Sequence, residues 1–229
     1  MLSLVLPWAS RHNVQLKLIA DGQRCHLLEP LLPIHATIEP FDATTFPPCA
    51  QTMAIRMALF DHDPSSTYAA WICTETHTMD PDRFVCCWRA KGQGSCLSAH
   101  ARSVPFHLVH NFYQRLIDRT PKATIVDITE WHPWEVHQFQ KLGIDIRNPV
   151  TLGITGLVDL CLNRRVITID TALIHLCAAM GHAADLLLPR FPDERWFELA
   201  HPKHNYGQHL TFHRSTQFGS WSSVMASLC

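Results

Sequence analysis

Charge is what this 229-residue chain has least of: Asp, Glu, Lys and Arg together make up 17%, and the formal net charge is −1. No global basic field therefore argues for nucleic acid or an anionic membrane. Signature motifs are also missing. There is no G-x-S-x-G elbow, which a Ser–His–Asp hydrolase would want. No H-E-x-x-H or Cys₂His₂ spacing marks a metal site, and no P-loop lysine motif occurs. Gly92-Gln93-Gly94 is not a dinucleotide fingerprint, because no third glycine follows on schedule. The nine cysteines form no C-x-x-C pair. An odd count without a secretion signal points to reduced thiols and a cytoplasmic protein. Met1 to Trp8 is apolar but too short to span a bilayer, and it lacks a basic n-region. Repeats, low-complexity tracts and long charge runs are absent too.

What is there is apolar. At 47% hydrophobic the chain can bury a substantial core, in one large domain or two small ones. Sixteen histidines would make it strongly cationic on acidification. His107 and His110 share a helix face, but no carboxylates accompany them, so no metal site is expected.

Strand, helix and turn signals alternate along the chain. Residues 1–11 read as the end of an amphipathic helix, Val14 to Ala20 as a strand and Cys25 to Leu32 as a short helix. Ala36 to Glu39 reads as a second strand and Cys49 to Phe60 as a helix. Asp61 to Asp82 is polar and turn-rich and reads as a linker. Strands follow at Phe84 to Trp88, Ala123 to Ile128, Ala184 to Leu188 and Leu210 to His213. Between them lie helices at Phe106 to Ile117, Trp134 to Leu142 and Thr151 to Leu162, with a last one at Trp221 to Leu228 capped by Ser220. Cys86 and Cys87 would point to opposite faces of their strand.

The stretch from Val166 to His182 organises the rest. Val166 to Ile169 suits a buried parallel strand. Asp170 and Thr171 offer N-cap chemistry, and Leu173, Ile174, Leu176, Cys177 and Met180 give the next helix a wide apolar stripe ending at Gly181. A helix opening at the carboxyl end of a parallel strand is where open α/β sheets bind ligands, and its free amides suit a diphosphate. Thr171 and His175, four apart, share one face. On the residues alone, Asp170 is equally a plain cap and His175 a packed surface histidine.

Three other places carry candidate chemistry. Arg89 and Lys91 flank a loop with Gly92 and Gly94, either as phosphate contacts or as a solvated basic loop. Trp131, Trp134 and Glu135 follow the Ala123 strand, either to flank a nucleotide base or to pack as core and lid. Arg195 could meet a phosphate or a sugar acid, or form a structural salt bridge.

Several blocks fall in register with a known pattern. They are Ile167-Thr168-Ile169-Asp170-Thr171-Ala172, His175-Leu176, Ala178-Ala179-Met180-Gly181, Leu186-Leu187-Leu188-Pro189 and Glu194-Arg195-Trp196. Trp88, Arg102-Ser103-Val104-Pro105 and Arg214 extend the match. The pattern resembles the C-terminal domain of the ADP-heptose:lipopolysaccharide heptosyltransferase-like glycosyltransferases, especially the branch fused to tetratricopeptide repeats. The resemblance is good over residues 84–228 and weak over 1–80. Ala90-Lys91-Gly92 departs from the family's usual residues.

The resemblance implies an α/β fold of two Rossmann-like lobes (GT-B-like). Residues 1–80 would be a shortened acceptor-side lobe, incomplete because the family's first strand and glycine-rich turn have no counterpart. Residues 81–229 would be the nucleotide-sugar-binding lobe. The implied activity is metal-independent transfer of a sugar from a nucleotide-diphosphate sugar to a hydroxyl acceptor, on a glycan, a lipid-linked glycan or a protein, in a bacterial cytoplasm. Arg89, Lys91, Asp170, Thr171, Ala172, His175 and Arg195 would hold the donor. In the family the acidic residue proposed as the base lies on that glycine-rich turn, so the resemblance names no base here. It equally admits a non-catalytic nucleotide-sugar binder or scaffold.

Overall fold

A computed structural model describes residues 13, 15–20, 29, 32, 34, 36–40, 78–90, 101–192, 196 and 209–228. Leu16–Ala20 (β1) and Ala36–Pro40 (β2) form a parallel pair, Leu16 opposite Ala36. The helices expected over 1–11 and 49–60 lie outside the described residues, as does most of that over 25–32 and most of the linker.

The main body is a six-stranded sheet, parallel throughout. Its strands are Asp80–Cys87 (β3), Thr124–Asp127 (β4), Asp145–Ile146 (β5), Arg164–Ile169 (β6), Ala184–Leu188 (β7) and Leu210–Arg214 (β8). Their order across the sheet is β5-β4-β3-β6-β7-β8. The chain builds outward from β3 in one direction, then returns to β3 and builds outward in the other. That is the doubly wound Rossmann order, and its point of reversal lies between β3 and β6.

Helices cover both faces, as parallel strands require. Phe106–Arg119 (α1), Pro133–Lys141 (α2) and Ser222–Ser227 (α5) lie on one side. Their buried Val109, Phe112, Tyr113, Phe139, Val224 and Met225 meet Phe84, Cys86, Ile125, Ile167, Ile169 and Leu187 of the sheet. Pro149–Cys161 (α3) and Ala172–Met180 (α4) lie on the other, against Val85, Cys87, Val126, Val166, Leu186 and Leu188. Cys86 and Cys87 thus serve opposite layers, as alternation demands. Burial pushes the Cys87 thiol up to about 12, with the Asp127 charge adding to the effect.

Local chemistry sets most element ends. Asn148 Oδ1 accepts from the Val150 amide at 2.9 Å and Pro149 takes the first position of α3. The expected start at Thr151 is therefore two residues late. Gly153, at φ 62°, kinks this helix where one continuous run was expected. Gly181, at φ 65°, ends α4; the His182 amide donates to Cys177 O at 2.9 Å, a Schellman closure. The last helix starts at Ser222 behind Trp221, not behind Ser220, and its N-cap makes no side-chain hydrogen bond.

Candidate functional site

The carboxyl ends of β3 and β6 face the point where the strand order reverses. Trp88, Arg89 and Ala90 leave β3 there, and Asp170 and Thr171 leave β6. The Val104 amide donates to Trp88 O at 2.9 Å and the Ala90 amide to Ser103 Oγ at 3.2 Å. These two bonds bring Arg102 to the crevice.

Arg102 spans it. Its Nη1 lies 3.5 Å from both the carbonyl oxygen and the carboxylate Oδ2 of Asp170. The Asp170 side chain is only 4% exposed, and its Oδ2 has no hydrogen-bond partner among the described residues. His175 stands one helical turn on, with Nε2 3.7 Å from Asp170 Oδ1. Its ring stacks on the buried Trp196 at 6.0 Å and 17°. Asp170, Thr171, Ala172 and His175 are therefore together at the mouth of α4, with Arg102 over them.

Thr171 is the N-cap, but the capping bond expected of it is not made. Thr168 Oγ1 donates to Ile169 O at 2.9 Å, and the Thr171 hydroxyl lies 3.1 Å from that same Thr168 oxygen. With its proton committed, Thr168 leaves Thr171 as donor to it. The Thr171 hydroxyl is thus drawn down to the strand and off the first-turn amides. Those amides carry the positive end of the helix dipole, which also favours the Asp170 carboxylate beside it.

Arg89 is placed on the crevice rim and is already engaged. Its two terminal nitrogens donate to Glu135 Oε1 and Oε2 at 2.6 and 2.7 Å, and its guanidinium lies 4.2 Å from the Trp131 ring centre. Glu135 Oε2 also accepts from the His132 amide at 2.8 Å, closing the first turn of α2. Burial alone would raise the Glu135 carboxyl; the Arg89 and His132 hydrogen bonds outweigh it and hold the group below its usual range. Recruiting Arg89 to a phosphate would cost this pair. Lys91 and Arg195 lie outside the described residues.

The two tryptophans divide. Trp131 is 8% exposed and packs on Phe139, its rings 4.9 Å apart. Trp134 is 58% exposed and touches Phe106 edge-on at 4.8 Å.

Beneath this rim lies a buried network that sequence reasoning missed. Asp127, at the end of β4, is fully buried. Its Oδ2 accepts from Tyr113 Oη at 2.8 Å and from Trp131 Nε1 at 2.9 Å; its Oδ1 accepts from the Thr129 amide at 2.7 Å. Trp88 Nε1 donates in turn to Tyr113 Oη at 2.6 Å. Burial raises the Asp127 carboxyl from 3.8 to about 6, and the bonds from Thr129, Tyr113 and Trp131 restrain the rise. The network fixes Trp131, and through it the surface on which Arg89 rests. Only an aspartate closing a β-branched strand signalled it. Arg102 had a signal too, in Arg102-Ser103-Val104-Pro105, but its target Asp170 is 68 positions away.

No family model matches the chain, and no curated protein matches it. Among solved structures, E. coli heptosyltransferase WaaC with ADP-2-deoxy-2-fluoro heptose is similar, at 13% identity and a TM-score of 0.46. The same enzyme with ADP aligns at 12% identity and 0.44. Each alignment covers 93% of this chain and 70% of the other. Likeness at this level is one of chain path; what places a candidate ligand site between β3 and β6 is the strand order itself.

Proposed function

We propose that the protein binds a nucleotide-diphosphate sugar between β3 and β6 and transfers the sugar to a hydroxyl acceptor, as a GT-B-like glycosyltransferase working without a metal ion. The observation that carries this reading is the mouth of α4. Side-chain-uncapped helix amides, an arginine and a buried carboxylate oxygen without a hydrogen-bond partner among the described residues meet at the topological switch point. Amides and Arg102 suit a diphosphate. A carboxylate there suits sugar hydroxyls, which can donate to Asp170 Oδ2, and His175 offers a second polar contact.

In the transfer, the anomeric C–O bond to the diphosphate breaks as the acceptor oxygen bonds to that carbon. The electron pair stays on the diphosphate. Donors aimed at the leaving oxygens stabilise this developing charge, with one such donor worth roughly 10²–10³ in rate. The acceptor hydroxyl gives up its proton to a general base as the new bond forms.

The test is calorimetric titration with ADP, UDP, GDP and their sugars, on wild type, Arg102→Gln and Asp170→Ala. Arg102→Gln should weaken free and sugar-bearing diphosphates alike, by about 10- to 100-fold for one charge-assisted hydrogen bond. Asp170→Ala should weaken the sugar nucleotide more than the free diphosphate. Folded protein that binds none of them overturns the reading. Binding without product release in a turnover assay leaves a binder and removes the transferase.

A further inference from the structure

A line of polar side chains crosses β6, β7 and β8 on the side that α5 covers, and none of its members belongs to the crevice. Arg165, Asp185 and His213 share the sheet face of Ile167 and Leu187 by strand alternation. Arg165 Nε donates to Asp185 Oδ2 at 2.7 Å, and Asp185 Oδ1 accepts from His213 Nε2 at 2.8 Å. His213 Nδ1 in turn lies 3.0 Å from the Oγ of Ser227, the last residue of α5. Asp185 is buried, His213 is half-buried and Ser227 is exposed.

Asp185 sets the tautomer of the ring. Burial alone would raise its carboxyl; the bonds from His213 and Arg165 outweigh this and hold the group below its usual range. It is therefore a carboxylate, which only accepts. The proton of a neutral His213 ring sits on Nε2, and Nδ1 turns a lone pair to Ser227. The Ser227 hydroxyl has a second acceptor in Val224 O at 2.8 Å, and rotation about Cβ–Oγ alone carries its proton from one to the other. A hydroxyl beside a base, with that base oriented by a third group, is the arrangement that activates serine. Geometry defines it, and a G-x-S-x-G elbow is only one way of building it.

We propose that Ser227 is a nucleophile that takes the acyl group of an activated ester, with His213 as its base and Asp185 as the positioning residue. Ser227 Oγ bonds to the ester carbonyl carbon as its proton passes to His213 Nδ1. The bond from that carbon to the alcohol oxygen then breaks, and the electron pair leaves on the alkoxide. The proton on His213 neutralises the alkoxide, so the products are an acyl-serine and a free alcohol. Arg165 holds the second Asp185 oxygen and keeps the carboxylate from turning off the ring. A general base is worth roughly 10²–10⁴ in rate, which suits an ester with a good leaving group. This second site acts independently of what the crevice binds.

The test is labelling of the full chain with a fluorophosphonate probe, located by fragmentation mass spectrometry along α5. Ser222 and Ser223 are exposed on the same helix and serve as internal controls. Ser227 should react roughly tenfold faster than either, or more, and should lose at least that factor in His213→Gln and in Asp185→Asn. Prior treatment with p-nitrophenyl acetate should protect Ser227 from the probe. Circular dichroism checks the fold of each variant, while the comparison of the three serines is made within the wild type. Equal labelling of the three serines, labelling of Ser227 indifferent to His213→Gln, or no protection by the ester would overturn the proposal.

Discussion

Asp127→Asn tests the buried network under the crevice rim. The carboxyl titrates at about 6 in the folded protein against 3.8 ordinarily. Because the folded value is the raised one, the native state holds the extra proton between these limits. Stability contributed by that proton is full below the unfolded value and is lost as pH rises through about 6. The whole step amounts to about 3 kcal/mol, and about 2 kcal/mol of it falls between pH 4.5 and 7.5. Asparagine keeps the shape and one acceptor oxygen but cannot titrate. Its absolute stability is set by which donor it leaves unpaired; its pH dependence lacks the step. Urea denaturation of both proteins across that range removes the histidine background by difference. Wild type should lose about 2 kcal/mol relative to Asp127→Asn on going from pH 4.5 to 7.5. Parallel stability curves would refute the reasoning.

Glu135→Gln removes the bidentate Arg89 pair and weakens the closure of α2, and should cost about 1–2 kcal/mol at neutral pH. This carboxyl is held below its usual value, so its contribution is lost as pH falls, and the gap to wild type in urea denaturation should narrow in acid. Trp131→Ala should cost about 3–5 kcal/mol by the same measure, since it empties a core site and orphans a bond to Asp127. Trp134→Ala, on the surface, should stay within about 1 kcal/mol.

The sheet strands were legible because both of their faces are covered. Phe84 to Cys87, Val166 to Ile169 and Leu186 to Leu188 are buried on every residue and apolar at all but Thr168, so the runs announce themselves. The opening of α4 was legible for the same local reason. Partner choice was not. Thr171 has a capping residue's identity, but Thr168 draws its hydroxyl away. Arg89 reads as a loop cation, yet Glu135, 46 positions on, takes both of its terminal nitrogens. Trp131 and Trp134 are three apart on one short segment, and only the location of Phe139 and Asp127 decides which one is buried. These are tertiary facts, fixed by the strand order and not by spacing.

That strand order also constrains how the chain reaches its fold. The central ladder pairs Cys86 with Ile167, so its two strands meet only after β4, β5 and the helices α1, α2 and α3 have been made. Contacts so distant in sequence close slowly. During synthesis the half-sheet β5-β4-β3 would stand with one flank of β3 unpaired, lined by Val85, Cys86 and Cys87, until Arg164 to Ile169 arrives to cover it. An unpaired apolar strand edge is a template for aggregation. Chains that stall or are cut before β6 should therefore be the ones that need chaperones, although everything needed for the first half of the sheet is already present in them.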